Sequence, residues 1–453
     1  MKLKTLPIVE QNPLTIIAEK CPEKLAKYLE FYSPIDHKGR YLHFEELRFR
    51  VPSDLDESLV WSVVSAARKR QQVNIIRLGE PSVNCNFVLT PGIQKAVSET
   101  DRNTTSASLE WISSKIGEKA QIDYLLKDLI EDESISSSQL EGAATTTSIA
   151  KNMLKKNRKP RNADERMILG NFRMMSFVWE HRADDLSIDL IRELHEIGVQ
   201  GIDDDKYTPG LFRKGDDVRV VDRDEDVVHV PPSAANLKSR MKKIVDWANT
   251  DHSEVAGKSY IHPLIKAIVL HFCIGFEHPF NDGNGRVARA LFYWYLFKSD
   301  FAAFRYIAIS VLLKNAPIQY GKSFLYTESD SMDLTYFLEY QSKIIIRAIQ
   351  KFKDAYTNAA REIEQFDRWL WDSGLYKKLN DKQITVFRVA KSGVALAFTA
   401  RNVEHNLGCS YNTASAVLNG LVKLKLFCRV KEGREWVYYM NDKEEIITSW
   451  KKT

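Results

Sequence analysis

Residues 278–286 read HPFNDGNGR, and Arg289 follows three positions after Arg286. These residue types at this spacing can do phosphate chemistry. Gly283, Asn284 and Gly285 can bend the backbone into a concavity whose N–H groups face an anion. A helix opening there, over Arg286 to Phe292, adds the positive end of its dipole and its unpaired N–H groups. Arg286 and Arg289 share one helical face, and guanidinium forks match phosphate oxygens. Asp282 is a hard oxygen ligand of the kind that holds a Mg²⁺ ion on substrate phosphates. His278, four residues before it, is the natural proton acceptor for an incoming nucleophile. Taken singly, each residue also fits a glycine-rich helix start beside a core histidine.

The segment resembles the signature of the Fic family, HxFx[D/E]GNGRxxR, with every fixed position met. The resemblance implies an adenylyltransferase: AMP passes from ATP to a hydroxyl side chain (Ser, Thr or Tyr) of a target protein, and pyrophosphate leaves. On that basis His278 deprotonates the hydroxyl, and Phe280 anchors the loop. Asp282 holds Mg²⁺ on the α/β phosphates, and the Gly283–Gly285 backbone with Asn284 cradles the anion. Arg286 and Arg289 then bind the leaving pyrophosphate. The same residues also suit the reverse reaction, hydrolysis of an AMP–protein bond. Glu277 departs from the family pattern, since an apolar residue is common before the histidine. It can raise the basicity of His278 or merely face solvent.

Two further segments extend the resemblance. Residues 218–230, VRVVDRDEDVVHV, place β-prone clusters around an Asp-rich turn, a hairpin by composition. They follow Gly210, Leu211, Phe212 and Arg213, the family's G-x-[F/Y]-R stretch. The resemblance makes the hairpin a flap whose edge, Val218, Arg219, Val220 and Val221, pairs with a stretch of the target and sets its hydroxyl over the phosphate. Upstream, Ser137 to Gly142 fits the family's inhibitory pattern, [S/T]xxxE[G/N]. Ser137 and Glu141 share a helical face, and Gly142 would allow close approach to another backbone. By the resemblance, Glu141 pairs with Arg289 and blocks the productive ATP pose, so the chain inhibits itself.

The elements that must position these groups are mainly helical. Three- and four-residue apolar spacing predicts helices from about Thr105 to Leu129 and over Met167–Trp179, Ser187–Val199, Val287–Phe297 and Leu334–Phe352. The stretch Pro263–Phe276 reads as an amphipathic helix, with residues 280–285 as the loop that follows. In the first 104 residues, Leu42–Val51 and Val73–Ile76 read as strands and Ser58–Gln72 as a helix; their role is opaque. The expected architecture is a mainly α, Fic-type helical bundle over 105–355, with the inhibitory helix at about 130–147 and the hairpin flap. A linker at 356–375 and a winged helix-turn-helix domain at 376–453 complete it. In that last piece a helix opening at Thr399 precedes a turn at Leu407–Ser410. A second helix over Tyr411–Leu424 follows, then a hairpin with its tip at Lys431–Arg434.

Charge and cysteines bound the alternatives. The net charge of +5 is too mild to announce nucleic acid. Residues 376–453, however, hold 14 Lys and Arg against 7 Asp and Glu, so any polyanion-facing surface belongs there. Tyr411, Asn412 and Ser415 are not basic, so this module reads as a protein-docking or homodimer surface more readily than as a DNA reader. A transcription regulator with a nucleotide-sensing Fic domain is the reading from another class, against which the intact motif argues. The five cysteines are scattered, without CxxC, which fits reduced thiols in a cytoplasm and argues against a zinc module. Neither a signal peptide nor a membrane span is evident. Partners are therefore target proteins with an acceptor hydroxyl, the chain's own hydroxyls included.

Overall fold

The computed structural model describes residues 3–116, 131–155, 158–204, 206–221, 226–255, 260–391, 395–432 and 435–451. The chain divides into two compact units, residues 1–106 with 130–350 and residues 107–129 with 351–453. Among the described residues helices dominate, and the strands form three two-stranded antiparallel sheets. No described helix is long and apolar enough to cross a membrane.

The first unit is organised around two consecutive helices, Pro263–Glu277 and Asn284–Lys298. The first of these was expected to be amphipathic. Instead every residue from Leu264 to Ile274 is buried, Lys266 and His271 included. A helix surrounded by neighbours has no solvent face to mark with charge, and its two polar residues find internal partners. Lys266 Nζ donates to the Thr250 carbonyl at 2.6 Å, and His271 Nε2 pairs with the Tyr320 hydroxyl at 2.8 Å. Around the pair pack Ala163–Glu180, Ile188–Val199, Leu237–Asn249 and the start of the long helix Thr335–Asp372.

The first 104 residues belong to this same unit and are not a separate body. Their helix Glu57–Lys69 is capped by Asp56 and buries Val60, Trp61, Val63 and Val64 against Ile17, Tyr28, Phe44 and Leu47. Buried Arg68 stitches the segment together. It donates to Pro34 and Leu42 carbonyls and to the Tyr336 hydroxyl, and lies 3.7 Å over the Tyr41 ring. The strand expected at Leu42–Val51 is instead a helical turn, Phe44–Leu47, running into a 3₁₀ turn at Arg48–Arg50. The His43 ring caps it by accepting the Glu45 N–H, and Glu45 and Glu46 suit a first turn. Local capping outweighs the β-prone apolar run. The strand Val73–Leu78 does form and pairs with Val83–Phe87, through a register shift between Asn74 and Ile76.

The second unit has its own apolar core, which includes Leu375, Phe387, Phe398, Val403, Leu418, Leu421 and Phe427. Its elements run helix Asp381–Lys391, helix Ala400–Leu407, helix Tyr411–Lys423 and hairpin Phe427–Glu432 with Glu435–Met440. Gly408, at φ +56°, ends the middle helix in a left-handed turn, and the Ser410 hydroxyl caps the next. The segment 356–375, expected as a linker, is helical as far as Asp372. The expected helical run through Ile122, Leu125, Leu126 and Leu129, the flap turn at 222–225 and the hairpin tip at 433–434 lie outside the described residues.

Candidate active site

The site is built where the Pro263–Glu277 helix ends. His278 stops that helix in a left-handed conformation, φ 47° and ψ 60°, with its N–H on the Ile274 carbonyl. Its Nδ1 lies 3.2 Å from the Gly275 carbonyl, an acceptor, so Nδ1 carries the proton and Nε2 keeps its lone pair. Burial is the main cause that holds this imidazole down at about 4, so near neutral pH the ring is uncharged and able to accept a proton.

Phe280 is fully buried and lies flat on the His195 ring, centroids 3.8 Å apart. His195 in turn fastens the loop: Nε2–H donates to the Asp282 carbonyl at 2.9 Å, while Nδ1 accepts the Gly210 N–H at 3.1 Å. That pattern needs a neutral ring, and burial pushes His195 down to about 4. Asn284 closes the turn with both ends of its amide. Its Oδ1 accepts the Phe280 N–H and its Nδ2 donates to the Phe280 carbonyl, each at 2.8 Å. The side chain is a brace, and only its backbone can face a ligand. Gly283, at φ +84°, caps the helix that begins at Asn284, two residues earlier than the sequence suggested.

Arg286 and Arg289 are each 1% exposed, yet they are not equally occupied. Arg286 Nη1 donates to the Gly198 carbonyl at 2.8 Å, while its buried Nε and Nη2 find no acceptor. Buried guanidinium donors without partners are costly and mark a place for an anion. Arg289 is held from upstream. Its Nε donates to the Ser137 hydroxyl at 2.8 Å, and its Nη2 to the Ser137 carbonyl at 3.1 Å and to Glu141 Oε1 at 2.8 Å. The same carboxylate lies against Gly285, where any Cβ would overlap Glu141 Oε1. Glycine at 285 is thus what admits the acid to the helix start.

Ser137 belongs to a helical segment, residues 131–140, and Glu141 and Gly142 form the turn that ends it. Glu133 anchors that segment by accepting the Ser310 N–H at 2.9 Å and the Ser310 hydroxyl at 2.5 Å. Gly142 was expected to permit close approach to another backbone. A Cβ there would meet nothing within 4 Å, and the residue is needed instead for its φ of +100°.

Of the expected flap edge, only Val220–Val221 is strand, paired with Val227–His229. Val218 and Arg219 precede it as loop. Arg219 Nη1 donates to the carbonyls of Asp216 and Val218, which satisfies them locally in place of a ladder. Val221 is half exposed, and the sheet has no third strand among the described residues. Arg213 ties the flap base to the loop, with its own N–H on the Pro279 carbonyl and Nε on the His278 carbonyl, each at 2.9 Å.

Sequence reasoning missed His195, Lys206 and Arg240. Lys206 Nζ pairs with Asp282 Oδ2 at 2.9 Å, and Asp282 Oδ1 accepts the Gly283 N–H. A lone histidine in a helix and a lysine after an aspartate run carry no spacing signal, so no pattern could have found them. Among the described residues there is no cluster of three or more metal-ligating side chains.

Residues 185–296 match the Fic/DOC family. The chain is 40% identical over 63 residues to a protein adenylyltransferase Fic of Drosophila willistoni, covering 14% of this chain and 12% of that one. It is 36% identical over 73 residues to the protein of the same name from Nematostella vectensis, covering 16% of each. The chain thus spans a small part of the curated relatives it matches. Among solved structures it is similar to a Fic family protein from Desulfovibrio desulfuricans (TM-score 0.46, 19% identity, 78% of this chain and 97% of that chain). Fic-1 of C. elegans aligns with TM-score 0.44 at 20% identity, over 58% of this chain and 71% of that chain. The matched segment, residues 185–296, contains the whole loop from His278 to Arg289, so the similarity to the Fic/DOC family falls on the candidate site itself.

Proposed function

We propose that the protein is a self-inhibited adenylyltransferase that moves AMP from ATP to a Ser, Thr or Tyr hydroxyl of a target protein. The observation that carries this reading is the unequal state of the two buried arginines. Arg286 has two donors in want of an anion, whereas Arg289 keeps only Nη1 without an acceptor, its Nε and Nη2 being taken by Ser137 and Glu141. In the transfer, the hydroxyl oxygen bonds to the α-phosphorus, the bond to the β-phosphate oxygen breaks, and pyrophosphate leaves. The hydroxyl proton goes to His278 Nε2. Neutral His278 is suited to that task, because its Nδ1 is fixed by Gly275. The N–H groups at the start of the Asn284–Lys298 helix and the Arg286 fork receive the phosphates. Asp282 would hold a Mg²⁺ ion, which supplies charge neutralisation on the phosphates when bound. The flap edge at Val220–Val221 would register the target by backbone pairing.

Glu141 supports the self-inhibition. Its carboxylate occupies the helix start and the arginine that the terminal phosphate of ATP would need. Incubating the full chain with ATP labelled at the α-phosphate, in the presence and absence of Mg²⁺, and mass-mapping modified residues tests the reading. Covalent AMP on protein that requires Mg²⁺ is the expected result. Label that appears only as free AMP from an AMP-modified protein would make the enzyme a hydrolase instead, with Glu141 aligning water.

A further inference from the structure

His278 holds a left-handed backbone without being glycine, a strain that persists only where the surroundings over-determine it. Two buried arginines supply the constraint. Arg213 acts on the backbone, donating to the carbonyls of Glu277 and His278 at 3.4 and 2.9 Å. Arg240 acts through the side chain of Glu277, the residue whose role the sequence left open. Glu277 does not face solvent: it is 0% exposed. Its Oε2 accepts from Arg240 Nε at 2.8 Å, and its Oε1 accepts the N–H of Gly79 at 2.9 Å, from 198 residues upstream. The remaining Arg240 nitrogens donate to the carbonyls of Ala235 and Ser233, each at 2.6 Å, on the segment that leaves the flap. A buried ion pair adds little net stability over apolar packing, so its value is sought in the geometry it fixes.

We propose that the Glu277–Arg240 pair is a positioning unit that sets His278 and the flap in one register, with the turn at Gly79 as its third point of attachment. The first 104 residues then have a role at the site, because the hairpin Val73–Leu78 with Val83–Phe87 presents that turn. The proposal rests on the reading of His278 as the proton acceptor. A side chain at Gly79 would be strained by its φ of +83°, and a Cβ there would come into van der Waals contact with the Phe276 ring and the Pro81 carbonyl oxygen, each at 3.4 Å. Gly39 offers a matched control. It too lies in the N-terminal segment with a positive φ, +73°, but a Cβ there meets nothing within 4 Å.

The test compares the full-length wild type with Gly79→Ala, Glu277→Gln and Gly39→Ala. Proteins carry ¹³C-labelled histidine, and the His278 signal is assigned by its loss in His278→Ala. The expected result is a single Nδ1–H tautomer in the wild type and Gly39→Ala. A mixture of tautomers, with a titration midpoint moved up toward that of free histidine, is expected in Gly79→Ala and Glu277→Gln. Transfer, measured with Glu141→Gly added to each, should fall about tenfold to a hundredfold in kcat in the latter two, with ATP affinity unchanged. An unaltered His278 signal in both Gly79→Ala and Glu277→Gln overturns the proposal, as does an equal change in Gly39→Ala. The NMR arm needs no activity, so absence of transfer in every protein would refute the enzymatic reading and leave the positioning unit to be judged by the spectra. Should Glu277→Gln fail to fold, Gly79→Ala decides alone.

Discussion

The helix start at 283–289 and the helix start at 410–413 in the second unit differ in what they do with polar groups. In the first, Asn284, Arg286 and Arg289 are each 1% exposed, and their polar atoms are committed to named partners except Nε and Nη2 of Arg286 and Nη1 of Arg289, which lack an acceptor. In the second, the Ser410 hydroxyl caps its helix in the ordinary way, while Tyr411 stands half exposed and the apolar side of Tyr411–Lys423 faces its own core. Both were picked from the sequence as binding surfaces. Buried, charged donors cost free energy unless a ligand repays it, so they point to chemistry. An exposed polar helix start costs nothing and leaves its partner open.

Substitutions can break this contrast, and the largest effect is expected at His278. His278→Ala should lower transfer by ~10²–10⁴-fold, the usual loss for a general base, while ATP binding survives. A kinetic assay beside calorimetric ATP titration checks both halves, and full activity would remove His278 from the mechanism. Asn284→Ala should come next. It leaves the Phe280 N–H and carbonyl unpaired in the core, at about 1–3 kcal/mol per orphaned group, read as a lowered denaturant midpoint. An unchanged midpoint would mean that water replaces the brace.

Glu141→Gly should raise transfer at least about tenfold, equivalent to 1.4 kcal/mol, by freeing Arg289. In Arg289→Ala the same change should bring no gain. If Glu141→Gly leaves transfer unchanged while His278→Ala abolishes it, the inhibitory contact is not functional.

Acid should sharpen the contrast further. Burial holds His43 and His271 down at about 3 and His195 and His278 at about 4, below the usual 6.5. The unfolded chain therefore binds more protons between these values, and the stability from keeping these rings neutral is full above about pH 6.5 and is lost as pH falls toward 4. Thermal melts across that range should show the melting temperature dropping; a flat profile would mean that these rings are charged in the native state. The smallest effect is expected in the second unit. Tyr411→Ala on the full chain should leave transfer within about twofold, as surface changes stay near 0.5 kcal/mol. A larger loss would tie that helix to the site.

Much of this was legible in the residues, and the reason is locality. HPFNDGNGR is legible because its parts meet one another across a few bonds: Gly283 caps, Asn284 braces Phe280, and Arg286 and Arg289 share a helical face. The long helices are legible for the same reason, being periodic over many turns. Pairings across distance are not. Nothing in the sequence joins Gly79 to Glu277 or Lys206 to Asp282, and composition alone misread the turn at Phe44–Leu47, where a histidine cap prevails over β-prone neighbours.

By itself, then, the sequence determined the chemistry offered at 278–289, the helical character of the chain and the placement of its positive surplus at the C-terminal end. Only the tertiary structure decided which of those groups are free to act. It brought Glu141 to Arg289, left two Arg286 nitrogens without acceptors, and turned Glu277 away from solvent onto Arg240. The physical reason is that spacing along a helix fixes which side chains share a face, while burial and partnering depend on elements that lie tens to hundreds of residues away.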